Sequence, residues 1–124
     1  MHGLPPGFDA SFFVGRTLEH ICASATILTL HFDDKLSVAV ESGYSMYIGN
    51  AKTTSQETRA NRSSPPRVTS GLLDLIEHQI SDATATREGT LTLRFDTGAL
   101  LVLADESPEY ESYSISYRGE TRYV

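Results

Sequence analysis

A chain of 124 residues with 40 % hydrophobic content is long enough to bury its own core without disulfides or a structural metal. Its 16 acids against 10 bases leave a net charge of −6, which argues against nucleic-acid binding because phosphate contacts need clustered Lys and Arg. No apolar run approaches the ~20 residues of a membrane span, so no membrane partner is expected.

The N-terminal "MHGLPPGFDASFFVG" has no basic start and no sustained apolar stretch, so it does not read as a secretory signal. Asp9 is a polar N-cap before "ASFF", enough for a short helix. Leu18 and Ile21 mark a strand, and Cys22 beside them reads as a small buried hydrophobe. As the sole cysteine it has no internal disulfide partner, and a reducing cytoplasm is the expected compartment. The next strand alternates cleanly, with Leu28, Leu30 and Phe32 inward and Thr29 and His31 outward. "DDK" turns the chain into a return strand of Leu36, Val38 and Val40, and the aromatic "GYSMYIG" follows. Residues 49–67, with Lys52, Arg59, Arg62 and Arg67 against Glu57, read as an exposed basic loop.

The second half repeats the sequence of signals. Thr69 and Ser70 precede a second short apolar helix, and Ile80 and Ala83 mark a strand. Leu91, Leu93 and Phe95 face inward with Thr92 and Arg94 outward, and "DTG" turns the chain, Gly98 supplying a positive φ. The return strand carries Leu100 and Val102 on one face and Leu101 and Leu103 on the other, which suits a central position. Tyr113, Ile115 and Tyr117 form a last alternating strand, expected at a sheet edge, before the charged turn "RGE".

"LTLHFDDKLSVAV" and "LTLRFDTGALLVL" are thus two versions of one segment. Val14, Leu18 and Ile21 align with Ile76, Ile80 and Ala83, and Leu28 to Asp33 align with Leu91 to Asp96 after one added residue. One further inserted residue is expected to bring Leu36 and Val38 onto Leu100 and Val102. The expected fold is α+β but mainly β: two repeated antiparallel β-meander units, residues 8–48 and 68–124, packed as one domain with one or two short helices.

The second unit resembles a family of small, mostly bacterial proteins, domain of unknown function 6188. The matching positions are Leu72, Leu73, Leu75 and Ile76, then Ile80 and Ala83. Gly89, Leu91, Leu93, Phe95, Asp96 and Gly98 follow in the hairpin, and Pro108, Tyr110, Glu111 and Tyr113 in the closing segment. Thr97 departs from an acid or polar turn residue, and Tyr113 stands where Trp is usual. The likeness covers the last 53 residues and reaches the first half only through the internal repeat. It implies no established activity; some members lie among bacterial toxin–immunity genes, so it implies immunity as a role.

Chemistry-bearing patterns are sparse. His2, His20, His31 and His78 show neither helical i, i+4 nor strand H-x-H spacing, so no metal site is expected. "FDD" and "DES" lack the glycine and spaced oxygens of a cation loop and read as turns. Cys22 has no paired histidine motif, and no nucleophile elbow, P-loop or dinucleotide fingerprint is present. No enzyme and no cofactor is expected. What remains is a surface for binding a protein: Asp105, Glu106, Glu109 and Glu111 interleaved with Tyr110, Tyr113 and Tyr117. The expected function is a non-enzymatic binding module, an immunity protein that neutralises a basic toxin through this acidic, Tyr-rich surface. The alternative is a self-assembling module that pairs as a homodimer through edge strands.

Overall fold

The computed structural model describes residues 8–24, 27–41, 44–48, 51–54, 70–103 and 113–124. Asp9 caps a 3-10 turn at Ala10–Phe13, its Oδ1 accepting from the Ser11 N–H at 2.9 Å, as the sequence predicts. Strands β1 (Leu18–Ala23), β2 (Leu28–Phe32), β3 (Leu36–Val40), β4 (Ser45–Ile48) and β5 (Ala51–Thr54) follow. A single helical turn, α1 (Ser70–Leu73), precedes β6 (Ile80–Ala85), β7 (Leu91–Phe95), β8 (Leu100–Leu103), β9 (Tyr113–Tyr117) and β10 (Glu120–Tyr123). The fold is mainly β, as expected.

Among the described residues ten strands form two antiparallel five-stranded sheets, ordered β1-β2-β3-β9-β10 and β5-β4-β8-β7-β6. Each sheet is therefore a three-strand meander from one unit completed by a hairpin from the other. β4 pairs with β8 across the units, and β9 pairs with β3 in return. Met46 opposite Leu101 takes the place in one sheet that Ile115 opposite Val38 takes in the other. This exchange moves β9 from the expected edge to an interior position, because the chain turns at Arg118–Gly119 and comes back as the true edge, β10. It also corrects the reading of residues 49–67 as wholly loop. Ala51–Thr54 is an edge strand on β4, and its two β-branched threonines, Thr53 and Thr54, favour that conformation. The rest of that stretch lies outside the described residues.

The registers show how far the units agree. β1 and β6 each carry one extra residue against their partner, between Leu18 and His20 and between Ile80 and Asp82. That bulge explains the apolar spacing of three: Leu18 and Ile21, and likewise Ile80 and Ala83, both face the core because the added residue resets the alternation. Further along, the expected insertion is absent. Val38 lies opposite Leu30 and Leu101 opposite Leu93, so Val38 corresponds to Leu101 and not to Val102. Leu101 and Leu103 are fully buried while Leu100 and Val102 are half-buried, and β8 is the central strand of its sheet. Counted between the residues the registers set opposite one another, Phe32 and Leu36 and likewise Phe95 and Ala99, both turns span three residues but solve the geometry differently. Asp34 and Lys35 adopt φ of 56° and 59°, whereas in the other turn Gly98 takes φ 90°.

A backbone seam joins the units along an approximate two-fold. Thr17 and Gln79, equivalent residues, form an isolated antiparallel bridge. Gly15 N–H donates to the Ile80 carbonyl at 2.8 Å and Glu77 N–H to the Leu18 carbonyl at 2.7 Å. The repeated "FD" earns its place here. Asp33 Oδ1 accepts from Thr17 N–H at 3.0 Å, and Asp96 Oδ2 from Gln79 N–H at 3.2 Å, so each hairpin tip clamps its own unit's entry strand. Inside, both sheets contribute to one hydrophobic cluster that includes Phe13, Phe32, Leu75, Phe95, Leu101 and Tyr113. Each such side chain contributes about 1.5–3 kcal/mol by leaving water.

Candidate functional site

A cluster of polar and aromatic side chains gathers at the β2–β3 turn. Leu36 pairs with Tyr117, so the end of β9 runs alongside that turn, and Arg118 N–H donates to the Lys35 carbonyl at 3.2 Å. Arg16 arrives from the residues just before β1. Three donors then converge on one oxygen: Asp34 Oδ2 accepts from Arg118 Nη2 at 2.6 Å, Tyr117 Oη at 3.0 Å and Arg16 Nη1 at 3.1 Å. Phe12 stacks on Tyr117 with ring centres 4.8 Å apart, Phe8 meets Phe12 edge-on, and the Arg118 guanidinium lies 5.0 Å from the Tyr117 ring centre. Arg118, then Tyr117, hold the Asp34 carboxyl below its ordinary range, and Asp34 in turn raises Arg118. With Arg16, Lys35 and Arg118 beside Asp33, Asp34 and Glu120, this is a charged, aromatic spot of mixed sign. One oxygen of the Asp34 carboxylate already accepts from three donors, which suits bracing rather than proton transfer.

The corresponding end of the second unit is simpler. His78 Nδ1 lies 2.8 Å from Asp96 Oδ1, and the Gln79 backbone N–H, then His78, lower the Asp96 carboxyl. Both Asp34 and Asp96 are thus easier to protonate in the unfolded chain than in the folded one. The stability they contribute is present above the ordinary value of 3.8 and lost as pH falls through their lower folded values. An Asp34→Asn, Asp96→Asn double variant is expected to have a lower Tm at neutral pH and a shallower fall of Tm on acidification below 3.8. Parallel Tm–pH curves for variant and wild type would show that these carboxylates do not carry the acid response.

A family model described as a family of unknown function, DUF6188, matches residues 13–124. The chain belongs to this family. The match runs through both units, so membership does not rest on the second half alone; it takes in β1 to β5 as well as β6 to β10. No curated protein and no solved structure matches the chain.

The structure divides the residues expected to meet a partner. Asp105, Glu106, Glu109, Tyr110 and Glu111 lie outside the described residues. Tyr113 is core: it is 1 % exposed, and its hydroxyl donates to the Gly89 carbonyl at 2.8 Å. That takes it off the expected surface, because Tyr113, Ile115 and Tyr117 alternate with half-buried serines and the first two point inward. Tyr117, half-buried, belongs to the Asp34 cluster at the far end of the same strand. Cys22 is exposed rather than buried, since it shares the outer face of β1 with His20.

Phe12, Arg16, Asp34 and Arg118 carry no sequence signal as a group: the first three come from separate turns of the first unit, and the exchange of hairpins adds Tyr117 and Arg118 from the second. Among the described residues no group of three or more His, Cys, Asp or Glu is placed to hold a metal ion. No helix among them is long and apolar enough to cross a membrane.

Proposed function

We propose that the chain is a non-enzymatic, cytoplasmic protein-binding module whose partner is a basic protein, and in its sharpest form an immunity protein that occludes a bacterial toxin. The observation that supports this reading is how the acidic stretch is framed. Asp105, Glu106, Glu109 and Glu111 fall between Leu103, 0 % exposed at the end of β8, and Tyr113, 1 % exposed at the start of β9. Each anchor is locked into a different sheet. Four acids and Tyr110 are therefore carried on a span whose two ends are fixed by the core, the usual arrangement of binding residues on a rigid scaffold. Such charge draws a basic surface and makes association salt-sensitive. The matched registers of the two units also support reading the first as a diverged copy of the second. Self-assembly is the second reading, favoured by four edge strands, β1, β10, β5 and β6, each bonded on one side within its sheet.

The test compares wild type with a variant carrying Lys at positions 105, 106, 109 and 111, each tagged and drawn from native-host lysate at low and high salt. Wild type is expected to retain one stoichiometric basic protein at low salt, released at high salt and not retained by the variant. Recovery of the chain alone, running as a homodimer, would replace immunity with self-assembly.

A further inference from the structure

The outer face of the β1–β2 pair brings two histidines together that the sequence keeps eleven residues apart. His20 lies opposite His31 in the register, and their rings stack with centres 4.3 Å apart and planes 17° from parallel. Both point away from the core, which Leu18, Ile21, Leu30 and Phe32 face. The same place in the other sheet is filled by Asp82 opposite Arg94, an acid and a base, the kind of cross-strand pair that favours a sheet. Two imidazoles offer no such complement; once both are protonated they repel.

We propose that His20 and His31 form an open site for a borderline divalent transition-metal ion of the Ni²⁺, Cu²⁺ and Zn²⁺ class. Imidazole nitrogen is the preferred protein donor for these ions. The lone pairs of stacked rings lie in the ring planes and run side by side, so both side chains must rotate and splay the stack before one nitrogen of each reaches a shared ion at about 2.1 Å; the cross-strand register brings the two close enough to do so. No hydrogen bond to another described residue occupies the nitrogens of either ring. Cys22 shares this face, opposite Thr29, but does not complete a three-donor group with the histidines. Water fills the remaining positions. With two protein ligands the site is exchangeable, in contrast to a closed structural centre.

The experiment titrates Ni²⁺ alone into the full chain, followed by calorimetry and by paramagnetic broadening of backbone amide signals. One ion per chain is expected, with broadening centred on β1 and β2. Losing one of two ligands costs at least as much as losing a second-shell partner, so His20→Gln and His31→Gln are each expected to weaken binding by about tenfold or more. Both side chains sit on an outer face, and circular dichroism checks that the variants remain folded. His2→Gln, His78→Gln and Cys22→Ser are expected to bind as wild type does. Absence of saturable binding, binding that survives both His20→Gln and His31→Gln, or binding abolished by Cys22→Ser would each overturn the assignment.

Discussion

Tyr113→Ala is expected to remove about 3–5 kcal/mol of folding stability, out of the roughly 5–15 kcal/mol that holds a domain of this kind together. The ring is sealed in the shared core, and its hydroxyl satisfies the carbonyl of buried Gly89 in the β6–β7 connection. Tyr113 opposes Val40 of the first unit while bonding to the second, so its loss opens a cavity where the two units meet. Tyr113→Phe keeps the ring and strands only the carbonyl, for about 1–2 kcal/mol. Urea unfolding of the three proteins measures both differences. The pair also separates core from contact. If Tyr113 touched a partner through its hydroxyl, the Phe variant would lose binding under conditions where it is fully folded; a core residue predicts full binding there.

The same residue sets an alkaline signature. Burial pushes the Tyr113 phenol above its ordinary value of 10.0, so the folded chain holds that proton longer than the unfolded chain does. Stability contributed in this way is complete below 10.0 and falls as pH rises above it, because the unfolded state alone gains by ionising. Tyr113→Phe is expected to flatten that fall.

What the sequence displayed and what it concealed divide along a physical line. Alternation tells which face a side chain takes, and it placed Leu28, Leu30, Phe32, Leu91, Leu93 and Phe95 correctly inward. It tells nothing about which strand lies alongside, so the exchange of β4–β5 for β9–β10 had no local trace. β8 was the exception, its unbroken run of Leu and Val marking a central strand. Turn composition was ambiguous in a different way. "DDK" and "DTG" look unequal, and an inserted residue that aligns Leu36 with Leu100 matches like with like. Asp34 and Lys35 instead take the left-handed conformations themselves, which keeps the turns the same length and sets small Ala99 level with Leu36. The tyrosines misled because acids precede them. Position within the alternation, not the neighbouring charge, decided that Tyr113 is core, and the distance along β9 put Tyr117 with Asp34. Cys22 and His20 were likewise misplaced or overlooked until the bulge fixed which face of β1 they share.

The largest expected effect follows from the exchange itself. Residues 68–124, expressed alone, carry β6 to β10 but lack the strands on both sides of the join: β8 loses β4, and β9 loses β3. As a monomer this half would leave both inner hydrogen-bonding edges open and half of the shared core exposed, a cost that no single substitution approaches. It is therefore expected to be unfolded at low concentration. The approximate two-fold offers one way out. Because Ile115 and Met46 occupy matching places, as do Val38 and Leu101, the β9–β10 hairpin of one copy can seat on β8 of a second copy. The half-chain is thus expected to fold only as a dimer, with β-dominated spectra and dispersed amide signals appearing as concentration rises. Mixing it with residues 1–67 is expected to recover the native spectrum at equal stoichiometry, since each half supplies the hairpin the other lacks. Circular dichroism and sedimentation across a dilution series measure this directly. A half-chain that stays folded as a monomer at high dilution would mean that its own β9–β10 hairpin closes back on β8, and that the exchange between units is not required for stability.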